Sequence, residues 1–110
     1  MLIFRFTPNP AHQPTEEEQK AMKEAWGGFI GNIAISEKLI STHQLGFDGR
    51  QLMADRTTTE GMLIADQQIM GGNMTVKAAS LDEATELAKD CPILRMGGTV
   101  EIRNILPMSA

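Results

Sequence analysis

Apolar and polar positions alternate at both ends of this chain and recur at helical spacing between them. Leu2, Phe4 and Phe6 fall on one face of a short strand, with Ile3 and Arg5 on the other. Thr7-Pro8-Asn9-Pro10 breaks that strand. After Pro14, Thr15-Glu16-Glu17-Glu18 is a capping box, in which the threonine hydroxyl and the third glutamate satisfy free amides at a helix start. Met22, Ala25, Trp26, Phe29, Ile30 and Ile33 then follow the i, i+3, i+4, i+7, i+8, i+11 pattern of an amphipathic helix. Gly27, Gly28 and Gly31 lie off this stripe and weaken the helix, each by up to about 1 kcal/mol relative to alanine.

The middle of the chain predicts extended structure. Lys38 to Leu45 reads as a strand, Phe47-Asp48-Gly49-Arg50 as a tight turn, and Gln51 to Ala54 as the returning strand. Thr57 to Ile64 is rich in β-branched and apolar residues and also reads as extended. Asp66 to Gly72 reads as a loop with room for one helical turn, Gly71-Gly72 being turn glycines. Met74 to Ala78 alternates again. Ser80-Leu81-Asp82-Glu83 is a second capping box, and Leu81, Ala84, Leu87 and Ala88 continue at helical spacing. Cys91-Pro92 ends that helix, because proline disfavours the α conformation in the residue before it. Gly97-Gly98 leads into a last alternating strand, Thr99 to Arg103.

The element order is β, α, a β-hairpin region, β, α, β. Without the extra hairpin this is βαββαβ, a ferredoxin-like α+β fold whose two helices cover one face of an antiparallel sheet. Leu2, Phe4, Phe6, Met74, Val76, Val100 and Ile102 are expected to face the helices. The opposite face carries Ile3, Arg5, Thr75, Lys77, Thr99, Glu101 and Arg103. It is too polar for a dry core, and is open either to water or to a second subunit across a polar cavity.

Composition narrows the function classes. At 110 residues the chain is expected to form a single domain, residues 1–110. The formal charge is -4, with both signs interspersed and no basic stripe, which argues against nucleic acid as a partner. Glu16-Glu17-Glu18 is explained by the helix dipole. A lone Cys91 permits no internal disulfide and fits a reducing cytosol. No stretch approaches the roughly 20 apolar residues of a membrane span, and the first residues lack the features of a secretion signal. A cytoplasmic protein is expected. His12, His43 and Cys91 are too scattered for a metal template. No phosphate loop or nucleophile elbow is present, so no cofactor is expected.

Three segments carry a family resemblance: Leu81-Asp82-Glu83-Ala84, Cys91-Pro92-Ile93-Leu94, and Gly97-Gly98-Thr99-Val100-Glu101-Ile102-Arg103. Together they resemble the closing signature of the YCII-related family, specifically its DGPF branch. Ile3-Phe4-Arg5, Trp26 and Gly71-Gly72 extend the likeness over the chain. The resemblance implies a bacterial cytoplasmic protein that pairs sheet to sheet as a dimeric α/β barrel homodimer, of mostly unassigned activity and often encoded beside sigma-factor genes. Where that branch carries Asp-Gly-Pro-Phe, this chain carries Glu60-Gly61-Met62-Leu63, and the aromatic residue usual after the double glycine is Asn73. A catalytic branch of the wider family is thought to use a histidine on the first helix and an aspartate before the proline ending the second. Here Trp26, or a near neighbour, and Cys91 stand at those places, and neither can transfer that proton.

The remaining residues with chemistry are few. His43 is the best acid–base candidate, with Glu60, Asp55 or Asp66 to orient it. The competing reading, a histidine on a strand surface, is the stronger one. His12 lies in the proline-rich loop and reads as solvated. Glu60 matches the branch's motif position, and is equally well a turn-closing residue beside Gly61. Arg5, Lys77 and Arg103 form either an anion site or ordinary cross-strand pairs with Glu101. Cys91 sits at the unfavourable end of a helix dipole for a thiolate and reads as a small buried apolar residue. The leading expectation is a small-molecule binding or accessory protein, with a site between the sheet and the hairpin region that draws on His43, Glu60, Asp66, Arg5 and Asn73. One alternative is a lyase or isomerase on a small polar or aromatic metabolite, with His43 as base and Glu60 or Asp66 as partner. A third is a regulatory partner of sigma-factor transcription, on family association alone.

Overall fold

The computed structural model describes residues 1–8 and 14–108. In chain order the elements are β1 (Leu2–Phe6), α1 (Glu16–Ile35), β2 (Leu39–Gln44), β3 (Arg50–Leu52), β4 (Thr58–Glu60), β5 (Ile69–Val76), α2 (Leu81–Ala88), a 3-10 helix (Pro92–Met96) and β6 (Thr99–Ile102). Four strands make one antiparallel sheet in the order β2-β5-β1-β6, and β3 pairs with β4 in a separate ribbon. The main sheet and its two helices have the expected ferredoxin-like α+β arrangement. His12 falls outside the described residues.

Both helices start where the capping boxes place them. Thr15 Oγ1 accepts from the Glu18 amide at 3.1 Å, and Ser80 Oγ accepts from the Glu83 amide at 3.1 Å. Glu83 reaches back one residue further than a simple box requires, taking the Ala79 amide on Oε2 at 3.3 Å. Its other oxygen is held by Lys38 Nζ at 3.2 Å, which ties α2 to the start of β2. The Lys38 bond first, then the Ala79 amide, hold the Glu83 carboxyl below its ordinary pKa.

The inner sheet face and the helices share one core. Leu2, Phe4 and Met74 from the strands pack with Phe29 and Ile33 of α1, Ala88 of α2, and Cys91 and Ile93 beyond it. Phe6, Val76, Val100 and Ile102 complete the inner face. Trp26 sits edge-on to Phe4 at 5.3 Å and to Phe29 at 6.0 Å, the arrangement aromatic quadrupoles favour. Cys91 is buried among these groups, and burial pushes its thiol pKa up.

Two expectations of the middle region are corrected. Asp48-Gly49 does not close a hairpin between β2 and a returning strand. Among the described residues β2 pairs with β5 alone, His43 opposite Asn73 and Gln44 opposite Gly72, and β3 pairs with β4 instead. The turn lies instead between β3 and β4, where the Met53 amide donates to the Thr57 carbonyl at 2.8 Å. Asp55 Oδ1 stabilises that turn by accepting from Thr57 Oγ1 at 2.6 Å and from the Thr57 amide at 3.0 Å, bonds that hold its carboxyl below the ordinary range.

The second correction concerns Gly71 and Gly72. They are not turn residues but lie inside β5, which begins at Ile69 rather than at Met74. A Cβ on Gly71 would stand 2.6 Å from the Phe6 ring, and one on Gly72 would stand 2.6 Å from the His43 carbonyl oxygen. The glycines therefore permit close packing, not chain reversal. The pairing of β1 with β5 slips by one residue between Phe4 and Arg5, a bulge that leaves Gly71 without a partner on β1, while its carbonyl accepts from the Leu45 amide at 2.9 Å. The reversal occurs earlier, at Asp66-Gln67, whose φ values of 52° and 63° and reciprocal Ala65–Gln68 hydrogen bonds define a tight type I′ turn.

Candidate functional site

The outer sheet face carries a continuous lateral row. His43 on β2 is opposite Asn73 on β5, Asn73 is opposite Ile3 on β1, and Ile3 is opposite Glu101 on β6. His43 Nδ1 lies 3.3 Å from Asn73 Oδ1. For that contact to be a hydrogen bond, Nδ1 must carry the proton and donate, leaving Nε2 as an acceptor. Among the described residues no carboxylate bonds His43. Its orienting partner is thus an amide, which cannot take up or share a proton.

One step along β1, about 7 Å away, Arg5 shares the same face. Arg5 is opposite Met70 on one side and Thr99 on the other. Its Nη1 bonds Glu101 Oε1 at 2.6 Å, and Arg103 Nε approaches Glu101 Oε2 at 3.9 Å. One carboxylate thus lies between two guanidinium groups.

Arg5 and Met70 floor a recess of about 450 Å³. Leu45, Gly46 and Asp48 wall it on the side of the chain entering the ribbon; Met62, Leu63 and Ala65 wall it on the side leaving. Gln68 closes one end, its Oε1 accepting from Thr99 Oγ1 at 3.1 Å. The two walls are held together by the Gly61 amide donating to the Gly49 carbonyl at 2.9 Å. The lining is mainly apolar, with one cation, Arg5, and one carboxylate, Asp48, and its size is in the range of small-molecule sites. A more open groove on the other side of the sheet edge runs beside the Lys38–Glu83 pair.

The residues singled out from the sequence are therefore distributed over four places. Arg5 is in the recess, and His43 and Asn73 are in the row beside it. Glu60 is on β4, exposed and ion-paired to Arg50 Nε at 3.2 Å. Asp66 is in the type I′ turn, with its backbone there well accounted for. No described contact joins Glu60 or Asp66 to His43. Leu45, Met62, Leu63 and Met70, which line the recess, were not among the candidate site residues read from the sequence. Their signal was available, since Met62-Leu63-Ile64 is an apolar run next to glycine in a segment with no helical or strand partner of its own.

The YCII-related domain model matches residues 6–109. The chain belongs to the YCII-related family. No curated protein matches it. The YCII-related match spans both recess walls and His43, Asn73 and Glu101 of the row, while Ile3 and Arg5 lie before it. Among the described residues of this YCII-related chain, no group of three or more histidine, cysteine, aspartate or glutamate side chains is gathered where it would hold a metal. No described helix is long and apolar enough to cross a membrane.

Proposed function

We propose that this YCII-related protein belongs to the DGPF-type branch, pairs with a second copy sheet to sheet, and binds a small molecule in the recess above Arg5 without strong catalysis of its own. The observation that carries the binding reading is the recess: about 450 Å³, apolar-walled, with the Arg5 guanidinium on its floor. A ligand with an apolar body and one anionic group matches that lining, because Glu101 occupies only Nη1 of Arg5 and leaves other guanidinium donors. The branch assignment is supported by the position of Glu60-Gly61-Met62-Leu63. Gly61 takes a φ of 94°, which a glycine adopts without strain, and Met62 and Leu63 form one wall of the recess. Pairing is supported by the outer face itself, where Ile3, Arg5, Asn73 and Thr75 are only half-buried with no element of the described chain laid across them.

The enzyme alternative draws no comparable support. Its base would be His43, and an amide partner does not stabilise an imidazolium as a carboxylate does.

A thermal-shift screen with small carboxylic acids of apolar body tests the reading. A ligand at 100 times its dissociation constant stabilises by about 2.7 kcal/mol. The shift is expected for the wild type and for Glu60→Ala, which lies outside the recess, and is expected to vanish in Ala65→Trp, which fills it. No shift with any acid, or a shift that persists in Ala65→Trp, rejects the site. Sedimentation velocity tests the pairing, and a monomer at all concentrations rejects it.

A further inference from the structure

The recess carries a charge that its own walls leave unanswered. Asp48 lines it, and among the described residues no ion pair or side-chain hydrogen bond engages the Asp48 carboxylate. The other carboxylates of residues 45–68 are accounted for elsewhere. Asp55 is bonded to Thr57 and Glu60 to Arg50, while Asp66 lies in the turn before β5, outside the lining.

The backbone beside Asp48 is held at both ends. The Leu45 amide donates to the Gly71 carbonyl at 2.9 Å, and the Gly49 carbonyl accepts from the Gly61 amide at 2.9 Å. Gly49 also lies against the opposite wall, where a Cβ on it would stand 3.5 Å from Met62 Cβ. The stretch from Leu45 to Gly49 is therefore tied to β5 and to the facing segment, which fixes where the carboxylate starts from. Arg5 is anchored separately. Glu101 takes Nη1 at 2.6 Å and leaves other guanidinium donors. No ion pair joins Arg5 to Asp48 among the described residues, so both charges face the recess without cancelling each other directly.

A simple anion drawn to Arg5 enters a space where Asp48 repels it, and a simple cation drawn to Asp48 meets the reverse. A molecule with both charges pairs with each, and its body covers the apolar walls. We infer that the recess takes a small zwitterion, an apolar body with a carboxylate for Arg5 and an ammonium group for Asp48, which is the chemistry of an amino acid with an apolar side chain. This rests on the binding reading above. It adds a second charged group to the ligand and names the residue that recognises it.

The test is an amide chemical-shift titration of the full chain with four probes. These are L-leucine; isocaproic acid, which is leucine without its amine; isoamylamine, which is leucine without its carboxylate; and ε-aminocaproic acid, whose charges are further apart. The better of the two zwitterions is expected to bind about threefold tighter or more than either singly charged probe, the scale of one exposed charge pair. In Asp48→Asn its advantage over isocaproic acid is expected to vanish, while isocaproic acid binds as well as before or better. Asp48 is exposed, so circular dichroism of that variant should match the wild type. Glu60→Gln, outside the recess, is expected to keep the preference. Isocaproic acid binding the wild type as tightly as both zwitterions overturns the inference and leaves the binding reading standing. So does a preference that survives in Asp48→Asn. Shifts confined to residues away from the recess, or no binding of any probe, defeat the two together.

Discussion

The carbonyl oxygen of His43 lies 2.6 Å from the point where a Cβ on Gly72 would stand. The obstacle is backbone, in the neighbouring strand of the same sheet, so it cannot rotate away. Gly72→Ala must push β2 from β5 and is expected to cost about 1–3 kcal/mol, the usual range for overpacking. Gly71→Ala meets the Phe6 ring, also at 2.6 Å, but that side chain is half-buried and can turn. Urea unfolding is expected to rank Gly72→Ala as the more damaging of the two; the reverse order contradicts the packing described.

The Arg5–Glu101 pair is short but more than a third exposed at both ends. Water screens such pairs, so in the single chain its coupling in a double-mutant cycle of Arg5→Met and Glu101→Gln is expected to be about 0.2–1 kcal/mol. It should shrink further in high salt. A coupling of several kcal/mol in the dimer would mean that the pair is desolvated by a partner.

Acid is expected to loosen the contact between α2 and β2. The Glu83 carboxyl has a lower pKa folded than its ordinary 4.5, mainly because of Lys38 and then the Ala79 amide. Its contribution is therefore present above about the ordinary value and is lost as pH falls through the depressed one. Thermal unfolding of wild type and Glu83→Gln should differ at pH 7 and converge at the lowest pH. A difference that stays constant down to that pH would remove the ionic origin.

Cys91 is nearly fully covered, and its raised pKa disfavours the thiolate that reagents attack. Thiol titration should therefore label it only after unfolding. Cys91→Ser places a hydroxyl among Leu2, Phe29 and Ile93 and is expected to cost about 1–3 kcal/mol, whereas Cys91→Ala removes only volume. Rapid labelling of the native protein would place the residue elsewhere.

The parts of this fold that were legible in the sequence are those set by local rules. Thr15 and Ser80 mark the two helix starts because capping is decided within four residues. The strand faces from Leu2 to Phe6 and from Thr99 to Ile102 followed from alternation alone. What was misread depends on distant partners. Gly71-Gly72 reads as a turn until Phe6 and His43 are known to press on it, and Asp48-Gly49 reads as a hairpin turn until β3 is known to pair with β4 rather than with β2. The recess was only half visible for the same reason. Arg5 stood out by its charge, while Leu45, Met62, Leu63 and Met70 are common residues whose role comes from being brought together.

The recess takes its floor from sheet strands and its walls from the segments on either side of the ribbon. None of the wall residues belongs to the buried cluster of Leu2, Phe4, Phe29 and Met74. Substitutions at positions 45, 62 or 63 can therefore reshape what is admitted while leaving folding stability nearly untouched. A scaffold divided in this way can drift between cargoes over evolutionary time without passing through unstable intermediates.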